Sequence, residues 1–87
     1  MELQNIFEQA VSNSRLLTKK PNNENLLQLY SLYKQATEGD IEIAPPSNPF
    51  DVVAKVKYNA WQSHKGKAKE VAMQEYISLV EKLKSGN

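Results

Sequence analysis

Three of the four prolines in this chain fall between positions 45 and 49, and the run Ala44-Pro45-Pro46-Ser47-Asn48-Pro49 carries no helical period. Adjacent prolines favour an extended, pre-stiffened backbone. On either side of the run, apolar residues recur at helical spacing. The chain therefore has to be helices joined across one long, stiff connection. Such a connection lets the helices before and after it lie side by side, even parallel, where a tight turn would force a hairpin. Structureless connections of this length are uncommon in compact domains and are often functional.

Four helical segments can be read. Leu3, Ile6, Phe7, Ala10, Val11 and Ser14 share one face at i, i+3, i+4, i+7 spacing, and Leu17 extends the row. Pro21 ends that segment, because the residue before a proline is pushed out of the helical region. Asn22 or Asn23 caps the second helix, in which Leu26, Leu29, Tyr30, Tyr33 and Ala36 keep helical spacing with Leu27 on an adjacent row. Gly39 closes it. Asp51 caps the third, with Ala54, Tyr58 and Trp61 on one face and Gly66 at its end. The fourth starts near Ala68 and carries Ala72, Met73, Tyr76, Ile77, Val80 and Leu83. Its Glu70 lies in the first turn and Lys82 and Lys84 in the last, which suits the helix dipole. The expected fold is all-α, a four-helix bundle with a long loop between helices 2 and 3, in a single domain over residues 1–87.

Composition excludes several functions. The chain has 11 Lys and Arg against 10 Asp and Glu, a net charge of +1, without the cationic excess of a nucleic-acid-wrapping protein. It has no cysteine and one histidine, so disulfides, thiol chemistry and a Cys/His metal site are ruled out. No apolar run approaches the roughly 20 residues that span a bilayer. Glu2 and Glu8 stand where a signal peptide would carry Lys or Arg. A cytoplasmic location without stable membrane insertion is expected.

Charge is uneven by position. From Val52 to Lys69 there is no acid, while Lys55, Lys57, Lys65, Lys67 and Lys69 all fall there. A polarised surface on a near-neutral domain suits a small, multiply charged anion, although the same lysines fit a solvated helix face. Tyr30, Tyr33 and Lys34 share one face of the second helix, where two phenols and an ammonium can meet a phosphate and a base together. Half-buried core tyrosines with wet hydroxyls fit that spacing too, and Tyr58 and Tyr76 read the same way. Trp61 reads as a core anchor, Met73 as core filler, and His64, near a helix end beside Lys65, as solvent-exposed. No serine has a nucleophile-elbow context and no glycine cluster forms a phosphate loop. Catalytic residues are not expected.

A longer pattern carries more. Tyr30-Ser31-Leu32-Tyr33-Lys34-Gln35-Ala36-Thr37, followed by Gly39-Asp40, resembles the signature of the acyl-CoA-binding protein family, also known as diazepam-binding inhibitor. Lys20-Pro21, Lys55, Lys57, Ala60-Trp61, Gly66, Ala72-Met73, Tyr76-Ile77, Val80-Glu81 and Leu83-Lys84 extend the resemblance over essentially the whole chain. The resemblance implies a skewed four-helix bundle and non-catalytic binding of medium- and long-chain fatty acyl-CoA. It implies that Tyr30, Lys34 and Lys57 meet the ribose 3′-phosphate, that Tyr33 lies close to the adenine and that Tyr76 flanks the ligand. Arg15 and Lys20 become secondary cationic contacts. Leu27 and the Leu26 row would line the acyl groove, near Val11. No cofactor or metal is implied. The implied partner is fatty acyl-CoA itself, with transient contact to acyl-CoA-using enzymes or membrane surfaces; no exposed seam in the sequence suggests a dimer, so a monomer is expected.

The chain departs from the family pattern in places. The usual Pro-Gly of the long loop is Pro45-Pro46-Ser47-Asn48-Pro49, one residue longer. A common tryptophan is Tyr58, a frequent lysine is Val53, and the Ser or Thr near the start of helix 4 is replaced by Lys67-Ala68. These changes bear on the rim of the acyl groove and on a helix cap, not on the head-group residues. The competing class is a helical protein-interaction module without a small ligand, for which the lysine-rich third helix is the cue. A thioester hydrolase would need a nucleophile–base pair that the sequence does not display.

Overall fold

The computed structural model describes residues 2–85. Among them the regular structure is four helices, α1 (Glu2–Ser14), α2 (Asn23–Glu38), α3 (Val52–Gln62) and α4 (Lys69–Lys84). The all-α four-helix bundle is as expected. α1 stops at Ser14 rather than running on through Leu17. There the Ser14 hydroxyl donates to the Val11 carbonyl at 2.7 Å, and turn bonds to the Ser12 and Asn13 carbonyls follow.

The caps follow local chemistry. Asn22 caps α2, its side chain accepting from the Asn25 amide at 2.7 Å. Gly39 ends the helix at φ +82°, a conformation that side-chain-bearing residues rarely adopt. Asp51 caps α3 through the Ala54 amide at 3.1 Å. α4 begins after Ala68 with no side-chain cap, as the Lys67-Ala68 sequence implies.

α4 packs against both α1 and α2, and α2 carries α3 on its other side, so the helices are layered α1, α4, α2, α3. The Cα extents of 37 × 29 × 15 Å describe the resulting slab. Phe7, Ala10, Leu29, Leu32, Ala36, Ala72, Met73, Tyr76 and Val80 form one buried cluster, with Leu3, Val11, Ile77, Leu79 and Leu83 packed around it. Trp61 is buried outside that cluster, beneath α3.

The side-chain pairs across α2 and α3 give their relative direction. Asn23 and Glu24 share a groove with Val52 and Val53, Leu27 shares it with Val56, Lys57 lies over Tyr30, and Lys34 lies over Trp61. Residue numbers rise together on both helices, so α2 and α3 run parallel. The connection over 39–51 makes this possible, and Pro45 and Pro46 line a surface crevice together with Lys55, Tyr58 and Asn59 of α3.

Two further expectations from the sequence are corrected. His64 is buried at 9% exposure, not solvent-exposed, because the turn after α3 folds it under α2 onto Ser31. On α2 the interior row is Leu29, Leu32 and Ala36 together with the polar Ser31 and Gln35, while Leu26 and Tyr33 are exposed. Polar residues that hydrogen-bond inside the protein rotate the buried face away from the one hydropathy marks.

Candidate functional site: the seam between α2 and α3

Because α2 and α3 run parallel, their facing side chains form a graded seam. At its N-terminal end lies a groove of about 460 Å³ lined by Asn23, Glu24, Leu27, Val52, Val53, Val56 and Lys57. Its wall is apolar apart from the two polar residues at the helix start and the lysine. A crevice of similar size, about 470 Å³, lies between α2 and α4, but Gln28, Gln74, Glu75 and Ser78 make up most of its lining and it has no cation. Of these two, the α2/α3 groove is the one that joins an apolar wall to a positive charge.

Further along the seam the chemistry turns cationic and aromatic. Lys57 Nζ is 5.2 Å from the centroid of the Tyr30 ring, and Lys34 Nζ is 5.1 Å from that of Trp61. Ammonium–ring contacts of this kind are worth about 0.5–1 kcal/mol at exposed sites. They hold both lysines in place without neutralising them. Lys34 also donates to Glu38 Oε2 at 2.6 Å, which raises its pKa above the ordinary 10.5 against a smaller effect of burial. Lys57 has no ion pair among the described residues.

Tyr33 and Tyr76 belong to an adjoining aromatic cluster. The Phe7 ring lies 6.1 Å from Tyr33 and meets Tyr76 edge-on at 5.2 Å, and the two tyrosines are 6.5 Å apart. Tyr76 is buried and its hydroxyl donates to Ser14 Oγ at 3.0 Å. Burial raises its pKa, opposed by the Ser14 bond and the nearby Arg15 charge. Val11 lies on this side, since its carbonyl accepts from the same Ser14 hydroxyl. Arg15 and Lys20 are exposed on the α1–α2 connection and have no ion pair among the described residues.

Of the residues expected to act together, Leu27, Tyr30, Lys34 and Lys57 lie along the seam, and Tyr33, Tyr76, Val11 and Arg15 group around Phe7 and Ser14. Leu26 and Val11 are not in the groove lining. Val52, Val53 and Val56 are; sequence reasoning put Val53 at the groove rim but did not assign Val52 or Val56 there. Their signal was a second apolar row on α3, offset from the Ala54, Tyr58, Trp61 face. Among the described residues there is no group of acids and histidine able to hold a metal ion, and no helix is long and apolar enough to cross a membrane.

The family model for acyl CoA binding protein matches residues 4–80. The chain belongs to the acyl-CoA-binding protein family. It is 49% identical over 77 residues to the acyl-CoA-binding protein of Dictyostelium discoideum, covering 88% of this chain and 90% of that one. The crystal structure of Oryza sativa acyl-CoA-binding protein 2 superposes with a TM-score of 0.89 at 40% identity, covering 95% of this chain and 89% of that chain. Enoyl-CoA delta isomerase 2 of Rattus norvegicus is 46% identical over 81 residues, which is 93% of this chain but only 20% of the isomerase.

Within this family member the signature string forms a joint. Gln35 Nε2 donates to Asp40 Oδ1 at 2.9 Å and to the Lys67 carbonyl at 2.7 Å. The Gly66 amide donates to the same Asp40 oxygen at 2.8 Å, and Trp61 Nε1 donates to the Gly39 carbonyl at 2.9 Å. These bonds tie the end of α2 to α3 and to the turn before α4. They lower the Asp40 pKa below the usual 3.8, the Gly66 amide first and Gln35 second. Tyr30 and Lys34 of the string face the seam, whereas Gln35, Gly39 and Asp40 set the frame behind it.

The structure also assembles a pair that the sequence did not display. Ser31 Oγ lies 3.1 Å from His64 Nε2, the spacing of a nucleophile and its base. Ser31 is 0% exposed, so no thioester carbonyl reaches it. Lys67 Nζ is 3.0 Å from His64 Nδ1 and donates to Glu75 Oε1 at 2.6 Å. This buried pair is a structural tie between α2 and the turn leading into α4.

Proposed function

We propose that this chain binds medium- and long-chain fatty acyl-CoA thioesters without transforming them, and carries them in the cytoplasm as a monomeric single domain over residues 1–87. One observation carries the reading. The α2/α3 seam grades from an apolar groove at Leu27, Val52, Val53 and Val56 to lysine and tyrosine at Lys57, Tyr30 and Lys34. An acyl-CoA has the same polarity, a hydrocarbon tail on a head with several phosphate charges. In this assignment Tyr30, Lys34 and Lys57 hold the 3′-phosphate and Tyr33 meets the adenine. Tyr76 and Val11 flank the ligand from α4 and α1, and Arg15 and Lys20 add charge.

Elementary energetics fit such a division. Each methylene removed from water contributes about 0.8 kcal/mol, so two more carbons improve binding by roughly tenfold while they still reach apolar wall. Each charge-assisted bond to phosphate contributes about 1.5–3 kcal/mol. Valine at position 53 extends the apolar wall. Phe50, Val52 and Val53 stand exposed beside the groove mouth, Phe50 at 88%. They support transient contact with membranes or acyl-CoA-using enzymes as the tail enters or leaves.

Isothermal titration of the delipidated protein with palmitoyl-CoA tests this, with CoA alone and palmitate as controls. One-to-one binding below micromolar, with both controls far weaker, is expected. No heat from folded protein would remove the carrier reading and leave the helical interaction module in its place. Release of free CoA during incubation would contradict the non-catalytic reading.

A further inference from the structure

Lys34 is already occupied by an acid that the fold has little use for. Glu38 is the last residue of α2, where a carboxylate opposes the helix dipole, and no basic residue occupies that turn. The pair runs Lys34 then Glu38, the less favourable order for an i, i+4 ion pair. Yet the contact is close, at 2.6 Å, and the lysine is the more sheltered partner, 26% exposed against 53% for the glutamate. Trp61 lies 5.1 Å from the same ammonium.

We propose that Glu38 is a charge gate on Lys34, a resident carboxylate that a phosphate dianion displaces and a singly charged group does not. The inference rests on the assignment of Lys34 to the phosphate of the ligand. A monoanion arriving at Lys34 brings the same charge as the acid already there and must still break that pair. A phosphate monoester, with nearly two charges and three acceptor oxygens, outcompetes it. The expelled carboxylate stays within a helical turn and repels the bound phosphate, so even the preferred ligand binds more weakly than Lys34 alone would allow. At a separation near 5 Å, in a screened, mostly aqueous setting, that repulsion together with the lost pair corresponds to about a fivefold penalty.

Titrations of wild type, Glu38→Gln and Glu38→Asp test the gate, with palmitoyl-CoA and with its analogue lacking the 3′-phosphate. Glu38→Gln is expected to bind palmitoyl-CoA about fivefold more tightly at low ionic strength, with the gain shrinking as salt is raised. The analogue is expected to bind Glu38→Gln and wild type alike. Glu38→Asp keeps the charge but draws it back from the ammonium, so its gain should be smaller. Unfolding of all three proteins should coincide, since Glu38 is exposed. Equal or weaker palmitoyl-CoA binding by Glu38→Gln would overturn the gate while leaving the ligand assignment standing. So would an equal gain with the analogue, which would show that the 3′-phosphate is not what Glu38 opposes. Failure of folded wild type to bind palmitoyl-CoA at all would overturn the ligand assignment, and the gate with it.

Discussion

Ser31 Oγ and His64 Nε2 lie 3.1 Å apart across 33 positions of sequence, inside a protein whose family signature runs through Ser31. The surrounding bonds fix the charge state of the imidazole. The Lys67 ammonium donates to Nδ1, so Nδ1 is an acceptor, and Nε2–H donates to Ser31 Oγ, whose own proton goes to the Gln28 carbonyl at 3.1 Å. A second ring proton would point at the ammonium. Burial first, and Lys67 second, hold the His64 pKa below its ordinary 6.5, with Glu75 opposing.

A pH dependence of stability follows from the sign of that shift. Well above pH 6.5 the histidine is neutral in both folded and unfolded chains and costs nothing. As pH falls below that value the unfolded chain takes up a proton that the folded one refuses, and stability drops until the folded pKa is passed. Urea unfolding at pH 7.5 and pH 5 should give a lower midpoint in acid, and His64→Gln should flatten the difference. An unchanged slope in His64→Gln would contradict this account. Asp40, lowered from 3.8, acts in a separate window, its contribution being lost only as pH falls below that value.

Ser31→Ala should behave as a stability variant only. Removing Oγ leaves the buried His64 Nε2–H without its acceptor, at a cost of about 1–3 kcal/mol. Unfolding by urea measures that loss, and a thiol-reactive dye monitors CoA release from palmitoyl-CoA. Thioester cleavage that wild type performs and Ser31→Ala lacks would make the pair catalytic after all.

The two positive-φ glycines should differ in their tolerance of alanine. Gly39, at φ +82°, would bring a Cβ to 3.3 Å from Lys69 Cε, and its carbonyl accepts the Trp61 indole. Gly66, at φ +93°, has open space around it. Backbone strain costs each of them of order 1–3 kcal/mol. Gly39→Ala should lose slightly more, because the end of the Lys69 side chain must also give way by a few tenths of an ångström. Midpoints in the opposite order would mean that the joint at Gly39 yields more easily than its bonds suggest.

Most of the fold was legible because its determinants are local. Asn22, Gly39 and Asp51 stop and start helices through their own side chains or backbone freedom, and the prolines at 45, 46 and 49 forbid a helix where the long connection lies. His64 was misread because its burial depends on a partner 33 residues away. Ser31 and Gln35 hid the true interior row of α2, since hydropathy counts polarity and not hydrogen-bond partners. The head-group candidates were legible only through the family string, because helical spacing alone suits Tyr30, Tyr33 and Lys34 to a core as well as to a ligand. Val52 and Val56 escaped notice because α3 has two apolar rows. One carries Trp61 and the other lines the groove.

Trp61 is the sole tryptophan and lies 5.1 Å from the Lys34 ammonium. A phosphate that draws Lys34 away from the ring changes the field at the indole. Titration with palmitoyl-CoA should therefore alter the intrinsic fluorescence in step with the calorimetric binding curve, and Lys34→Ala should blunt the change. Fluorescence indifferent to saturating ligand would argue that Lys34 does not move on binding.

Lys34→Ala is the sharpest test of the site, because the lysine does little for the fold. Its ties in the free protein are an exposed i, i+4 pair and one ring contact, together worth about 1 kcal/mol. A charge-assisted bond to phosphate is worth about 1.5–3 kcal/mol. The variant should thus unfold close to wild type yet bind palmitoyl-CoA more weakly by on the order of 2 kcal/mol, roughly thirtyfold. The analogue lacking the 3′-phosphate should lose far less, since Glu38 remains on Lys34 when that ligand binds. Equal affinity of Lys34→Ala and wild type for palmitoyl-CoA would remove the phosphate from this end of the seam.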